Sequence, residues 1–385
     1  MNFLKRIGFK VDVETINAPK TVWVGMSGGV DSAVSAYLLK QQGYDVTGIF
    51  IKVWQPDNTE CNWKDDRRDA MRVCAEIGIP FRTLDLSQEY KSKVVEYMIS
   101  EYSKGRTPNP DIMCNRHIKF GGFLDLAIKN DIDFLATGHY ANVEEIKDLS
   151  GEIRSVLVEG ADKNKDQSYF LWTLTSKDLA RVLFPVGDLL KPEVRKIAEE
   201  NKLPVFDKKD SQGVCFIGHV DMKDFLKKHV KIEPGKVLNV EGHEIGEHDG
   251  SILYTLGERI GFKSFQSGSN DKPMYVFAKD VQKNTISVTE KNLLNNSNSE
   301  VVENTTVDSS GGSTQAILTN LNWNSIDLPP NTKIEARVRY RQERQGCTFD
   351  SKTSRVKFEK VQVLAPGQSI VFYTGEKCLG GGIIA

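Results

Sequence analysis

The stretch VWVGMSGGVDS at residues 22–32 combines an apolar run with three glycines, two serines and an aspartate, and the helical pattern AVSAYLLKQQG follows at once. Glycines let the backbone approach a ligand closely, and free N–H groups at a helix start favour an anion. A capped Gly-Gly turn would explain a bare SGG, but SGGxDS between a buried strand and a helix is more specific. The stretch predicts a phosphate-binding loop for a nucleotide.

The loop lacks the lysine with which Walker loops, ending in GK[ST], direct attack at the γ-phosphate. SGGxDS resembles instead the PP-loop of the N-type ATP pyrophosphatases. That resemblance implies cleavage between the α- and β-phosphates of ATP, usually with Mg²⁺, so that AMP is placed on a substrate oxygen and pyrophosphate leaves. A nucleophile must then displace AMP.

The segment GRTPNPDIMCNRHIKFGG at 105–122 is a candidate source of that nucleophile. Cys114 follows Asp111 by three residues, one turn if a helix begins there, and basic side chains lie close by in the sequence. Positive neighbours and a helix N-terminus lower a thiol's pKa and supply the reactive thiolate. Asp111 could shuttle a proton. Alone, Cys114 is better explained as a small buried apolar residue.

A second cysteine, Cys215, lies in KKDSQGVCFIG at 208–218, after a Ser-Gln-Gly turn and before an apolar run. By itself it reads as a core cysteine at a strand start. The segment NKDQSYFLWTL at 164–174 has a polar head and an aromatic body, which also fits a capped helix with a buried face.

Alternating strand-like and helix-like pieces must position these residues. TVWVGM, DVTGIFIKVW, PFRTLDL and DFLATGHYA read as strands, and helices are predicted at 31–42, 65–78 and 88–104. Gly43 suits the position just after the first helix. This alternation predicts an α/β fold with a parallel sheet, whose ligands gather at the carboxyl ends of the strands.

Changes in composition divide the chain. We predict an N-terminal extension at 1–20, a PP-loop ATP pyrophosphatase (adenylation) domain at 21–218 and a small, mostly-β central domain at 219–290. A flexible linker or loop rich in Asn, Ser, Thr and Gly follows at 291–315, and a C-terminal β-barrel at 316–385.

Net charge, hydropathy and cysteine spacing limit the partners and the cellular location that the sequence allows. The formal net charge is −1, so a nucleic-acid partner would need a local basic patch. There is no long apolar run, so no transmembrane helix or membrane partner is expected, and the N-terminus has no signal-peptide core. The six cysteines form no CxxC pair and no zinc pattern, so no metal site is expected. Free thiols in a cytoplasmic, monomeric protein are the expectation, with any disulfide transient and catalytic.

Taken together, the motifs resemble the tRNA-specific 2-thiouridylase family. The resemblance runs in order from residue 21 to 385, through GMSGGVDS, KGRTPNPDIMCNRHIKF, LATGHY, NKDQSYFL, LFPVGDLLKPEVRKIAE, KDSQGVCFIG, APGQSIVFY and CLGGGII. It implies that ATP adenylates O2 of the wobble uridine of a tRNA. A persulfide on Cys215, charged by a cysteine desulfurase or relay protein, then supplies sulfur, with Cys114 as nucleophilic partner and Asp111 as acid/base. The two cysteines are expected to pass through a disulfide.

The resemblance also assigns binding residues. For ATP they are Gly25, Met26, Ser27, Gly28, Gly29, Val30, Asp31, Ser32, Ile51 and Gly138, with Ile51 where relatives often have Met. For tRNA they are Asn109, Pro110 and Asp111 at the target base, and His139, Lys165, Asp166, Gln167, Arg339, Tyr340 and Gln368 elsewhere.

Charge agrees locally with an RNA partner. Residues 333–360 hold nine Lys or Arg against four acids, a net charge of +5. Arg337, Arg339 and Arg341 alternate on what reads as one strand, so they are expected to project from one face. The target uridine should be flipped out of its stack to react.

Two other functions remain open on the sequence. A PP-loop enzyme using ammonia would be an amidating ligase whose activity survives replacement of either cysteine. A non-catalytic tRNA-binding or assembly protein would bind tRNA and release no pyrophosphate.

Overall fold

The computed structural model describes residues 19–56, 63–148, 150–209, 222–265, 273–290, 313–323 and 334–385. The chain divides into two compact units, which are Met1–Glu89 with Asn115–Gly213, and Tyr90–Cys114 with Val214–Ala385. Almost all of the predicted extension at 1–20, most of the predicted linker at 291–315, and Cys215 lie outside the described residues.

The helices of the described residues are α1 (Val30–Gln41), α2 (Trp63–Ile77), α3 (Ser87–Tyr90), α4 (Glu96–Ser103), α5 (Pro110–Cys114), α6 (Phe123–Lys129), α7 (Ser176–Leu179), α8 (Lys191–Glu200) and α9 (Met222–His229). Further helical segments are π-helical at Lys91–Val95 and Asn115–Gly122 and 3₁₀ at Ser168–Phe170 and Ser251–Leu253.

The strands are β1 (Thr21–Gly25), β2 (Asp45–Lys52), β3 (Phe81–Asp85), β4 (Phe134–Ala136), β5 (Ala141–Lys147), β6 (Ile153–Glu159), β7 (Val182–Leu183), β8 (Gly235–Leu238), β9 (Glu244–His248), β10 (Arg259–Ile260), β11 (Lys263–Ser264), β12 (Met274–Asp280), β13 (Thr285–Glu290), β14 (Ser313–Trp323), β15 (Ile334–Arg337), β16 (Gln345–Asp350), β17 (Arg355–Gln362), β18 (Ser369–Thr374) and β19 (Lys377–Ile384).

A five-stranded parallel sheet in the order β3-β2-β1-β4-β7 forms the framework of the first unit. In β1, buried Val22 and Val24 alternate with half-buried neighbours, and they share one core cluster with Ala33 and Ala36 of α1. Alternate residues of β1 and helically spaced residues of α1 thus pack together in one core. The predicted α/β parallel sheet is confirmed.

The strand order reverses between β1 and β4, because β1 leads outward to β2 and β3 while β4 lies on its other side. In open α/β sheets, ligands bind at such a switch point, beyond the carboxyl ends of the strands. The glycine-rich loop leaves β1 at this point, and Thr137 and Gly138 leave β4 there.

Helix bounds follow the prediction to within two residues for α1 and α2. Gly43 has φ +88°, as expected for the residue that ends α1. The single strand predicted for DFLATGHYA is wrong, because the segment divides into β4 and the start of β5. Residues 137–140 leave the strand where the chain passes the N-terminus of α1.

The second unit holds two β structures. The central one is a six-stranded sheet in the order β10-β12-β13-β8-β9-β11, antiparallel except for the β13–β8 pair. The C-terminal one follows the order β14-β17-β16-β15-β18-β19, and antiparallel pairing of β14 with β19 closes it into a six-stranded barrel. Trp323, Phe349 and Phe372 pack in the barrel with ring centroids 5.0–5.5 Å apart. The predicted C-terminal β-barrel is confirmed.

Among the described residues, no helix has the length and apolar content needed to span a membrane.

Candidate active site

The loop between β1 and α1 is shaped by its own serines and by Gly28. Ser32 Oγ accepts a hydrogen bond from Ser27 N at 3.2 Å and donates to Gly29 O at 3.1 Å. Gly28 has φ +75°, and a Cβ there would lie 2.4 Å from the carbonyl oxygen of Asp66. Only glycine therefore fits between the loop and the first turn of α2.

Helix α1 begins without a side-chain cap, since its N-cap residue is Gly29. The first N–H groups of a helix have no intrahelical partner, and the helix dipole adds positive potential around them. The start of α1 can therefore accept an anionic group such as a phosphate.

Gly138 brings the chain after β4 directly against this helix start. A Cβ on Gly138 would lie 2.7 Å from Ser32 N and 2.8 Å from the carbonyl carbon of Asp31. An alanine at this position would press on the backbone that offers the anion-binding N–H groups. The structure thus brings Gly138 and the glycine-rich loop together, as the resemblance implies.

Ile51, the other predicted ATP residue, lies near the end of β2 at the same sheet edge. Its neighbour Ile49 accepts a hydrogen bond from Met26 N at 2.8 Å, just where β1 gives way to the loop. The backbone around Ile51 is thus close in the sheet to the loop, and the contact of Ile51 with ATP stays a prediction.

A lysine not anticipated from the sequence, Lys191, lies at the loop. Its Nζ donates to Asp31 Oδ1 at 2.7 Å, and Tyr140 Oη donates to the same oxygen at 2.8 Å. Lys191 is 9% exposed and is the first residue of α8. A cation at a helix N-terminus opposes the helix dipole. That unfavourable placement was the signal in the sequence that could have marked Lys191 as functional.

A second unanticipated lysine, Lys208, holds the other side of the loop. Its Nζ donates to Gly28 O at 3.0 Å and to carboxylates of Asp66 and Asp69 at 2.8 Å each. Burial lowers the pKa of Lys208, but its hydrogen bonds to Asp66 and Asp69 outweigh burial and leave the pKa raised. Lys208 therefore stays charged and ties Gly28 to α2.

His139 is buried and neutral. Thr137 Oγ1 lies 2.6 Å from its Nδ1 and Lys119 Nζ lies 3.4 Å from its Nε2, while the Phe120 and Phe184 rings pack against it. Burial, and then the charge of Lys119, hold the pKa of His139 well below its ordinary value. An ammonium can only donate, so Nε2 accepts and Nδ1 carries the proton. Its tRNA contact stays a prediction.

Asp166 and Gln167 make hydrogen bonds that organise the first unit. Asp166 accepts from the N–H groups of Gly160 and Ser168 at 3.1 Å each. Burial, and then Glu159, raise the pKa of Asp166 above its usual value. Gln167 exchanges two bonds with the backbone of Tyr140, at 2.8 and 2.9 Å. Because Tyr140 also bonds Asp31, Gln167 is linked to the phosphate loop.

Of the predicted tRNA residues in this turn, Asp166 is 2% exposed and Lys165 is partly exposed. Lys165 is therefore the member of the motif best placed for a phosphate, and the tRNA contacts of all three stay predictions.

The thiol segment, Asn109–Cys114, belongs to the second unit. Asn109 Oδ1 accepts from the N–H groups of Asp111 and Ile112 at 3.1 and 3.2 Å, which caps α5. Pro110 is the first residue of α5, where its missing N–H costs nothing. Asp111 and Cys114 lie one helical turn apart, as predicted, and Cys114 is 4% exposed. Contacts of Asn109, Pro110 and Asp111 with a base stay predictions.

Two other described cysteines, Cys74 and Cys347, are poor thiolates. Burial raises the pKa of Cys74 to about 12, and burial with the charges of Glu359 and Glu335 raises the pKa of Cys347 to about 12. Thiols with such pKa values are almost wholly protonated at neutral pH. Cys74, Cys114, Cys347 and Cys378 are all free and buried, and Cys215 lies outside the described residues.

The predicted arginine row is wrong. Strand β15 ends at Arg337, whose guanidinium lies over the Tyr373 ring at 5.2 Å. Arg339 donates to the Leu256 carbonyl, and Arg341, with φ +62°, stacks over Tyr340 at 5.0 Å. The turn after β15 sends the three side chains in different directions. The exposed basic side chains in the basic segment 333–360, among the residues that the structure describes, are those of Arg341, Lys352, Arg355, Lys357 and Lys360.

In the part of the chain that the structure describes, no three or more His, Cys, Asp or Glu side chains gather as a metal site would require.

The fold and the phosphate loop define an α/β protein of the PP-loop class. Three families match in order, described as the tRNA methyl transferase HUP domain at 20–219, the tRNA methyl transferase PRC-barrel domain at 223–290 and the aminomethyltransferase beta-barrel domain at 313–384. The chain belongs to the tRNA-specific 2-thiouridylase family, because proteins with that name match it almost end to end.

Three of these relatives, each named tRNA-specific 2-thiouridylase MnmA, come from different bacteria. The protein from Stutzerimonas stutzeri is 46% identical over 385 residues, covering 97% of each chain. That from Idiomarina loihiensis is 45% identical and covers 96% of each. That from Lacticaseibacillus paracasei is 44% identical and covers 96% of this chain and 95% of its own.

Proposed function

We propose that this protein is a tRNA 2-thiouridylase that uses ATP to exchange O2 of the wobble uridine for sulfur. The observation that carries the proposal is the phosphate loop at the sheet's switch point, with Gly138 against it and Lys191 beside it, in a chain that also has Cys114 and Cys215. ATP is consumed as a co-substrate, and Mg²⁺ accompanies its phosphates.

In the first step O2 of the uridine attacks the α-phosphorus of ATP, and the bond from that phosphorus to the bridging oxygen breaks. AMP is joined to O2 and pyrophosphate leaves with the electron pair of the broken bond. The N–H groups at the start of α1 hold phosphate oxygens, and the Lys191 ammonium stabilises the charge that develops on the leaving group.

In the second step the outer sulfur of a Cys215 persulfide attacks C2, and AMP leaves with O2. The base is then joined to Cys215 through a disulfide bond. The Cys114 thiolate attacks the sulfur of Cys215, which releases the base as 2-thiouridine and leaves a Cys114–Cys215 disulfide. Asp111, one helical turn from Cys114, accepts the thiol proton. A dithiol reductant then restores both thiols.

The persulfide requires a partner, a cysteine desulfurase or a sulfur-relay protein, and tRNA is the macromolecular substrate. We propose that the protein works in the cytoplasm, because its substrate is tRNA and its chemistry needs reduced thiols. We propose also that it acts as a monomer.

The test is reconstitution with purified protein, ATP, Mg²⁺, a sulfur donor and unmodified tRNA, followed by nucleoside analysis. We expect 2-thiouridine at the first anticodon position, with one pyrophosphate released per sulfur inserted. Because two matching families are described as methyl transferases, S-adenosylmethionine is the matched control. It carries no phosphate for the loop to hold, so no methylated nucleoside is expected. Methylation without thiolation would reject the proposal.

Affinity for tRNA is expected to fall steeply with salt, because lysines and arginines that bind phosphates displace counterions. Replacing exposed Lys357 by glutamine should reduce the slope of log K against log salt by about 1 unit. Lys129→Gln, an exposed lysine of α6 in the first unit, is the control. Filter binding at several salt concentrations measures both. A flat salt response in the unaltered protein would show that the exposed lysines and arginines of the barrel do not bind tRNA phosphates.

A further inference from the structure

The residues that precede the thiol segment are hydrogen-bonded to a turn of the C-terminal barrel. Thr107 N donates to Pro366 O at 2.8 Å, and Gln368 Nε2 donates to Thr107 O at 2.8 Å. Both backbone polar groups of Thr107 are thus bonded to the turn at 365–368, which we call the barrel clasp. Thr107 stands two residues before Asn109, which caps α5.

Gly367 makes the close approach possible. It has φ +92°, and a Cβ there would lie 2.9 Å from Thr107 N, C and O. Any side chain would therefore push the two backbones apart while also straining its own. The close contact with Thr107 therefore requires glycine at position 367, in the APGQ motif.

The barrel clasp is itself fixed. Gly367 N donates to Ile384 O at 3.0 Å and Ile384 N donates to Gln368 O at 2.8 Å, so the turn is bonded to the end of β19. Arg106 Nη2 also donates to Ile384 O at 2.9 Å. Arg106 is therefore bonded directly to the end of β19, and the next residue, Thr107, is bonded to it through the barrel clasp.

We infer that the barrel clasp is a positioning element for the thiol segment, and that Gln368 acts on this segment through Thr107. This inference deepens the proposed function and rests on it for its effect on catalysis. The hydrogen bond of Gln368 keeps Thr107 in place, Thr107 places Asn109, and Asn109 caps the single helical turn that carries Asp111 and Cys114.

The first test needs no tRNA. Full-length Gln368→Met loses the donor and keeps the side-chain volume. Its Cys114 is expected to react with N-ethylmaleimide about tenfold faster than in the unaltered protein, since one lost hydrogen bond raises the open population by about that factor. Peptide mass spectrometry reads each cysteine separately. Cys347 and Cys378, buried in the barrel, are internal controls whose rates should not change. Gln368→Glu, which also lacks the donor, should repeat the result.

The second test is the kinetics of thiolation. Gln368→Met should lower kcat about tenfold while the Kd for tRNA stays within twofold, because a displaced reacting group costs turnover rather than binding. Gln345→Met, a partly buried glutamine of the same barrel, should change neither.

Two outcomes overturn the inference. One is an unchanged Cys114 labelling rate in both Gln368 variants. The other is a weakened Kd for tRNA with an unchanged kcat, which would make Gln368 a direct RNA contact. If Cys114 labelling rises but the unaltered protein forms no 2-thiouridine, the clasp stands and the proposed function fails.

Discussion

Replacing Cys114 by serine is expected to lower 2-thiouridine formation by about 10³-fold or more, the scale seen when a nucleophile is removed. A serine hydroxyl cannot displace sulfur from Cys215, so the base stays attached to the enzyme. Pyrophosphate release in the first turnover should survive, because adenylation precedes the step that uses Cys114. Cys215→Ser should also abolish thiolation, since no persulfide can form. Quenched single-turnover reactions with labelled ATP and nucleoside analysis separate the two steps.

The matched control is Cys347→Ser in the barrel, where the pKa of the thiol is raised to about 12 and no role in the reaction is expected. Full thiolation is expected from this variant. An amidating ligase would behave differently, since ammonia rather than a thiol would displace AMP. Product formation that survives in both Cys114→Ser and Cys215→Ser, with each variant folded, would favour the ligase.

Replacing Lys191 by methionine is expected to reduce kcat/KM for ATP in pyrophosphate release by about 10²-fold, comparable with the loss of one preorganised donor at a developing charge. The change removes a buried cation and leaves the Asp31 carboxylate facing the incoming phosphates without it. Lys191→Arg should retain part of the activity, because the charge is kept. Pyrophosphate release measured over a range of ATP concentrations gives the result.

Lys196→Met is the matched control, because Lys196 lies on the same helix, α8, with a side chain 72% exposed. Its kinetics should equal those of the unaltered protein. If Lys191→Met lowers the melting temperature while kcat/KM of the folded enzyme is unchanged, Lys191 supports the fold and takes no part in adenylation.

Local pattern was enough to predict the framework of the site. The alternation of strands and helices placed the glycine-rich loop at the carboxyl end of β1, and the spacing of Asp111 and Cys114 predicted one helical turn. These features depend on backbone preferences and side-chain periods that operate within about ten residues.

Contacts between distant segments were not predictable in this way. Lys191 and Lys208 reach the phosphate loop from 160 and 180 residues away, and only the folded sheet brings them there. Arg337, Arg339 and Arg341 follow a strand pattern, yet β15 ends at the first of them, and the next two side chains contact Leu256 and Tyr340.

Some residues that the resemblance assigns to RNA binding also make hydrogen bonds within the protein. Asn109 caps α5, Gln167 braces Tyr140 and Gln368 holds Thr107. A motif shows that a residue type matters at a position. It does not show whether that residue contacts the substrate or supports a neighbouring residue. Separate measurements of tRNA affinity and turnover distinguish the two roles.

The proposed mechanism requires that O2 of the uridine is activated by adenylation before sulfur arrives. Transfer of an isotope tests it directly, with tRNA that carries ¹⁸O at O2 of its first anticodon uridine. After reaction with the protein, ATP and sulfur donor, we expect AMP that is two mass units heavier, in amounts equal to the 2-thiouridine formed. Unlabelled AMP alongside 2-thiouridine would contradict it, because the displaced oxygen would then have left without passing through an adenylate.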